Sequence, residues 1–430
     1  MRRIRILSTA LLLASLLCGC SLFNAEQFYC LPDAPDAYYT LQTALSTLID
    51  SGCEYLAPLS GGNQEPVQLI DLDGDGTDEA VACLRSSEDG SAFLCVLSET
   101  EASFEVVCRM PCAGTVIDAV EYCDLSGDGD PELLVTSRAG DSGPSVLQVF
   151  SGTEAEPLLE TVCGSYETTD LSGDGGSHLV TLADGAAASA EGAVLTYYID
   201  LTTPAAVTLS MPIARLISLE TGTLADGQPC LVATGTAAEE DGTVIDVLCA
   251  DGDSLKRIAA LETDAPKGNL LIPRTVDGFT ELPILEQLPA YSTESTVQYQ
   301  VSWNRLSADG GLQRQSAVYD SWSNGWSMTL PESWDGTVTV HETSRAEQEC
   351  MVTETAFYRM DGDRPGELQL SVFTITGTGC QQYAADQQLT VLYTAGETVV
   401  AVRLNEEAEI WEGTTTLAQV SEALGLIPNP

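Results

Sequence analysis

Three copies of one acidic loop constrain this chain more than any other feature: "DLDGDGTDE" at 71–79, "DLSGDGDPE" at 124–132 and "DLSGDGGSH" at 170–178. They begin 53 and 46 residues apart. Between them the chain reads as short strands. After Glu79 come "AVACLR", "SAFLCVLSE" and "SFEVVCRMP", apolar or β-branched runs bounded by polar and glycine-containing turns. One strand before each loop and three after it make a four-stranded unit. Repeats of this length built from four strands imply propeller blades rather than a helical solenoid. One such sheet cannot bury both its faces, so the units must stack on one another to make a core. Two degenerate continuations, "LISLETGTLADGQPCLVATG" near Leu219 and "LLIPRTVDGFTELPILEQL" near Arg274, keep the strand–turn–strand order without the acidic loop. The expectation is a mainly β chain, with a β-propeller of about five four-stranded blades over 67–321 and a small α+β domain over 322–430.

The loop chemistry suits a hard cation. Calcium takes six to eight oxygens, and carboxylates at alternate positions can face one ion while glycine relieves the tight backbone. In the first loop Asp71, Asp73 and Asp75 are the candidate side-chain ligands, Thr77 offers its carbonyl and Glu79 closes the shell. An EF-hand would need a bidentate glutamate at the twelfth position and flanking helices. The twelfth positions are Ala82, Val135 and Thr181, and the flanks read as strands, so that motif is excluded.

On these loops the chain resembles the FG-GAP or VCBS repeats of integrin-α-like β-propellers, whose loop has the form D-x-[DNS]-x-D-G-x-x-[DE] between two strands of a blade. The likeness rests on loops and period, because the FG and GAP signatures themselves are absent. The resemblance implies that the second loop offers Asp124, Ser126, Asp128, the carbonyl of Asp130 and Glu132. It implies that the third offers Asp170, Ser172, Asp174 and the carbonyl of Gly176. There His178 stands where the closing acid belongs. Propellers of this kind often serve adhesion or ligand display, and a minority are polysaccharide lyases or dehydrogenases.

The amino terminus, "MRRIRILSTALLLASLLCGC", places Arg2, Arg3 and Arg5 ahead of a short apolar run, the pattern of a bacterial export signal. The run is too short for a spanning helix. "LCGC" resembles a lipobox, which implies a signal over 1–19, diacylglyceryl modification of Cys20 and a tether over 20–34. The expected location is the outer face of the cell membrane. Residues 35–66 form a lead-in: Tyr38, Leu41, Leu45, Leu48 and Ile49 have helical spacing, and Gly52 sits where a left-handed residue would end the helix.

With 17 basic and 64 acidic residues the formal charge is −47, which opposes binding to nucleic acid and favours cations. Cys83, Cys95, Cys108 and Cys249 fall inside apolar strand runs, where cysteine acts as a small core residue. Cys30 with Cys53, and Cys350 with Cys380, are the bridges the spacing leaves open. No cysteine or histidine cluster has zinc spacing. Past Asp320 a tryptophan-rich stretch carries Trp322, Trp326 and Trp334, either sugar-stacking platforms or core. Near the carboxyl end Thr416 and Gln419 form a capping-box pattern, with Leu417, Val420 and Leu424 along one face. His178 and His341 are the only histidines and neither lies in a catalytic motif. The sequence therefore favours a non-catalytic scaffold or binding module for a protein or glycan. An enzyme acting on extracellular polysaccharide is the alternative.

Overall fold

The computed structural model describes residues 36–100, 103–183, 192–210, 213–237, 242–263, 271–293, 295–347 and 349–427. The expected signal, Cys20, the tether and Cys30 lie outside the described residues. No helix among the described residues is long and apolar enough to cross a membrane. The chain divides into two compact units, one of residues 1–124 with 128–161 and one of residues 125–127 with 162–430.

In the first unit a helix runs Asp36–Asp50 and ends at Gly52, whose φ of 99° is open only to a residue without a Cβ at little cost. Its buried Leu45 and Leu48 pack with Ala80, Ala82, Leu84, Cys95 and Leu97. Each such leucine contributes about 1.5–3 kcal/mol of burial. Two antiparallel sheets follow. The first is built of Val67–Ile70, Glu79–Ser86, Ala92–Glu99 and Phe104–Pro111, with Cys53–Tyr55 continuing the outer row beside Glu79–Ser86. The second is Val116–Cys123, Glu132–Arg138, Ser145–Phe150 and Leu159–Val162 in sequential order. Glu79–Ser86 is buried over its first six residues, which explains the unbroken apolar run "AVACL". The outer strand Phe104–Pro111 instead alternates in part between buried and exposed positions.

The second unit holds two more such meanders. One is Ser165–Thr169, His178–Leu182, Val194–Tyr198 and Pro204–Thr208. The other is Ile213–Thr223, Pro229–Ala237, Thr243–Asp251 and Ser254–Thr263. A six-stranded sheet follows, formed by Arg274–Val276, Phe279–Gln287, Tyr299–Leu306, Leu312–Ser321, Trp326–Leu330 and the terminal Leu424–Leu426. The last sheet has five strands between Val338 and Leu404, with the helix Cys380–Asp386 packed on it through Cys380 and Ala384.

The repeating unit is thus the expected one, a sequential antiparallel sheet, and the degenerate segments near Leu219 and Arg274 do open new sheets. No closed propeller ring is found among the described residues. The boundary expected after Ser321 falls inside a sheet: Ser321 pairs with Trp326 and Tyr319 with Met328, and Leu424–Leu426 returns to the same edge. The tryptophans cause this. Trp326 and Trp334 are fully buried with Tyr319, Phe357, Leu370 and Val402, so one core spans the expected junction. Their indole N–H groups donate to Thr374 Oγ1 (3.1 Å) and to the carbonyl of Gly413 (2.7 Å). Only Trp322 of the three is exposed. The capping box at Thr416 is present on the helix Leu417–Ala423; Val420 and Leu424 are buried, but Leu417 points outward. Cys53, Cys350 and Cys380 are free thiols, so the Cys350–Cys380 bridge does not form, although both side chains lie in one core.

Candidate metal centre

Each acidic loop joins the first two strands of its meander, and the three have one backbone plan. The ninth loop residue opens the second strand opposite the residue that precedes the loop: Glu79 against Ile70, Glu132 against Cys123, His178 against Thr169. The second residue, Leu72, Leu125 or Leu171, is buried and anchors the loop from beneath. Glycines at the fourth and sixth positions are left-handed, with φ of 69° and 87° at Gly74 and Gly76, 75° and 99° at Gly127 and Gly129, and 76° and 94° at Gly173 and Gly175.

The first aspartate folds the loop around its own carboxylate. Asp71 Oδ2 accepts from the N–H of Gly76 (2.9 Å), Asp124 Oδ2 from Gly129 (3.0 Å) and Asp170 Oδ2 from Gly175 (2.8 Å). The third acidic position repeats in the same way. Asp75 accepts from the N–H of Thr77 (2.7 Å), Asp128 from Asp130 (3.0 Å) and Asp174 from Gly176 (2.9 Å). Such short Asx turns explain why these residue types occupy a tight reversal.

In the first loop Asp71, Asp73 and Glu79 each offer one oxygen within 4.8 Å of the others. Asp75 is not part of that trio. Asp71 Oδ1 is buried and has no hydrogen-bond partner, while Glu79 is fixed by the Leu72 N–H (3.0 Å) and the Ser98 hydroxyl (3.1 Å). A buried carboxylate oxygen without a donor is costly and fits a cation's ligand shell. The donor set, all oxygen and largely carboxylate, suits calcium rather than a softer metal.

One ligand candidate was invisible in the sequence. Asp130, expected to supply a carbonyl, turns its side chain toward the first loop; a Cβ on Gly74 would lie 2.2 Å from Asp130 Oδ1. Its carboxyl is held above the usual range by desolvation and by the charges of Asp128, Asp71, Asp73 and Asp124. No local signal could have revealed this, because it depends on two loops 53 residues apart meeting within one unit.

The third loop is poorer in acid. Ser172 Oγ donates to Asp170 Oδ1 (3.2 Å), so the serine supports the aspartate. Burial works against the Asp170 carboxylate, but the N–H groups of Gly175 and Gly173 and the Ser172 hydroxyl outweigh it and lower its pKa. Asp174 is lowered by the Gly176 N–H, then Ser172, with His178 adding a smaller pull. His178 is buried against the Tyr197 ring at 5.6 Å, and its Nδ1 has no partner. The imidazole there stands at the position of Glu79 and Glu132 in place of a carboxylate.

No family model matches the chain and no curated protein matches it. Among solved structures, the rhamnogalacturonan lyase YesW matches with 13% identity over 72% of this chain and 73% of that one, at a TM-score of 0.26. A protein from Lactobacillus plantarum matches with 12% identity over 72% and 85%, at 0.25. The Bacillus licheniformis rhamnogalacturonan lyase matches with 14% identity over 81% and 72%, at 0.24. The chain itself is mainly β, built of several antiparallel sheets.

Proposed function

We propose that the chain is a lipid-anchored, extracytoplasmic scaffold of propeller-blade repeats that binds calcium in its loops and acts by binding a protein or glycan rather than by catalysis. The observation that carries the metal reading is the first loop, where a buried and undonated Asp71 oxygen stands with Asp73 and Glu79 and the Asp130 side chain leans in. Calcium there would offset half the charge of four neighbouring carboxylates and tie the two flanking strands together, an effect exerted on the folded state alone. Asp75, Asp124, Ser126, Asp128, Glu132, Asp170, Ser172 and Asp174 serve graded roles in the three loops, with side chains or through the backbone turns they cap, and Thr77, Asp130 and Gly176 supply carbonyls.

Ligand charge sets calcium affinity, so the first loop should bind most tightly and the third most weakly. Extracellular modules of this chemistry bind at about 0.1–1 mM. Calorimetric titration of calcium into chelator-treated protein tests the reading. The expected result is saturable heat in that range, with the strongest component removed by Asp71→Ala. Absence of heat together with a melting temperature indifferent to chelator would reduce the loops to acidic turns.

A further inference from the structure

A pocket of about 370 Å³ opens in the second unit, at the ends of Tyr299–Leu306 and Leu312–Ser321. Gln298, Tyr299, Tyr319, Asp320, Trp322 and Glu342 supply its chemistry, and Leu271, Leu285 and Val301 its apolar wall. The acidic loops take no part in it.

Asp320 and Glu342 are the charged groups lining this pocket, and Gln298, Tyr299 and Trp322 add neutral polar groups. Gln298 Oε1 accepts from the Tyr319 hydroxyl (2.8 Å). Glu342 Oε2 accepts from Asn324 Nδ2 (3.1 Å) and the Thr355 hydroxyl (3.5 Å), which fixes the carboxylate at the pocket edge. Asp320 differs: its carboxyl has no hydrogen bond or ion pair among the described residues. No lysine or arginine lines the pocket. The one guanidinium that acts on Asp320, that of Arg274, is bound to Glu281 at 2.8 Å and lies over the Trp303 ring at 3.9 Å. Trp322 and Tyr299, 38% and 39% exposed, present aromatic surface beside the acids.

Two carboxylates, aromatic faces and an apolar wall, with no cation of their own, define a complementary ligand. An anion is repelled. An uncharged saccharide could stack on Trp322 but would leave the Asp320 charge without a counterion in a partly dry site, which costs free energy. A bare divalent ion wants six or more oxygens and gains nothing from the apolar wall. An ammonium or guanidinium group on an apolar body satisfies the acids, the π faces and the wall together. We infer that this pocket binds an organic cation, an amine or guanidine with a hydrophobic body, through Asp320 and Glu342 with Trp322 against its side. This goes beyond the calcium scaffold and does not require the loops to hold metal.

Burial pushes the Asp320 carboxyl up to about 6 against the smaller opposing pull of Arg274. The cation must therefore displace a proton when the pH is below that value. Glu342 from Val338–Glu347, Tyr319 beside Asp320 on Leu312–Ser321 and Tyr299 from the neighbouring strand are the other titratable groups lining this space, and the Arg274 guanidinium acts on Asp320 from outside it. Burial raises the Tyr319 hydroxyl further from neutrality, so it stays uncharged.

The probe is phenethylamine, titrated calorimetrically into the full-length protein in detergent at pH 7.5 and pH 5, with 2-phenylethanol, methyl glucoside and calcium chloride as parallel titrants. One saturable site for the amine is expected, with affinity about tenfold weaker at pH 5, where a carboxyl of pKa 6 is about one-tenth ionised. Asp320→Asn should weaken binding at pH 7.5 by about tenfold and abolish its pH dependence. Trp322→Ala should weaken it severalfold and remove the tryptophan fluorescence change. Far-UV circular dichroism and the chelator response of each variant establish that it is folded. No amine binding, equal binding of 2-phenylethanol or methyl glucoside, or an amine affinity unchanged in Asp320→Asn would each overturn the inference. Loss of the calcium heats with amine binding intact would sink the loop reading alone.

Discussion

Replacing Asp320 by Asn should stabilise the free protein near neutral pH and do nothing in acid. The carboxyl sits at the end of Leu312–Ser321, paired through its backbone with Ser327 and without a donor for its charge. Its pKa rises from 3.8 to about 6 on folding, so between those values the folded chain keeps a proton that the unfolded chain has released. Stability then falls as pH rises through this window, and the full cost is present above about 6. A shift of about 2 units corresponds to about 3 kcal/mol, and because part of the carboxyl still faces water we take about 2 kcal/mol. Asn cannot ionise, and the other acids are common to both proteins, so they cancel in the difference. Urea unfolding of both forms at pH 7.5 and pH 4, without amine, reads this directly. The variant should gain about 2 kcal/mol at pH 7.5 relative to wild type and be close to equal at pH 4. Equal differences at the two pH values, or a less stable variant at pH 7.5, would refute the account of Asp320 as a desolvated charge awaiting a counterion.

Four further outcomes are expected. Chelator should lower the melting temperature, with Asp71→Ala removing the largest share of that effect and Asp174→Ala the smallest, as differential scanning fluorimetry with and without calcium would show. Trp326→Ala should cost about 3–5 kcal/mol by leaving a cavity, whereas Trp322→Ala should stay within about 1 kcal/mol in chemical denaturation. Cys20→Ser should leave the membrane fraction or fail to mature; fractionation identical to wild type would contradict the lipid anchor. A screen of polysaccharides with calcium present should give no turnover, and activity lost on changing His178 or His341 would overturn the binding-module reading.

The strands and loops were legible because they are local. Alternating and continuous apolar runs, and aspartates placed two apart around glycines, state their geometry within nine residues. What the sequence could not show depends on distant segments meeting. Asp130 reads as a loop carbonyl until the first loop is beside it, and Asp320 is one acid among 64 until a pocket closes around it. The boundary after Ser321 looked sound because the repeat pattern fades there. Yet Trp326 and Trp334 need more apolar surface than one sheet supplies, and the core they share with Phe357 and Val402 crosses the point where the pattern ends.

The loops hold their shape through amide-to-carboxylate bonds and a buried leucine, and the calcium proposed for them would draw on the same carboxylates. At the turn between Ile213–Thr223 and Pro229–Ala237, Leu224 is still buried and Gly227 is still left-handed, with φ of 87°, while the string of aspartates is reduced to Asp226. The third loop stands between these states, with His178 opening its second strand. The strand–turn–strand path thus persists where the acids are lost, and on the proposed reading a chain built this way can gain or lose calcium dependence one turn at a time without rebuilding a sheet.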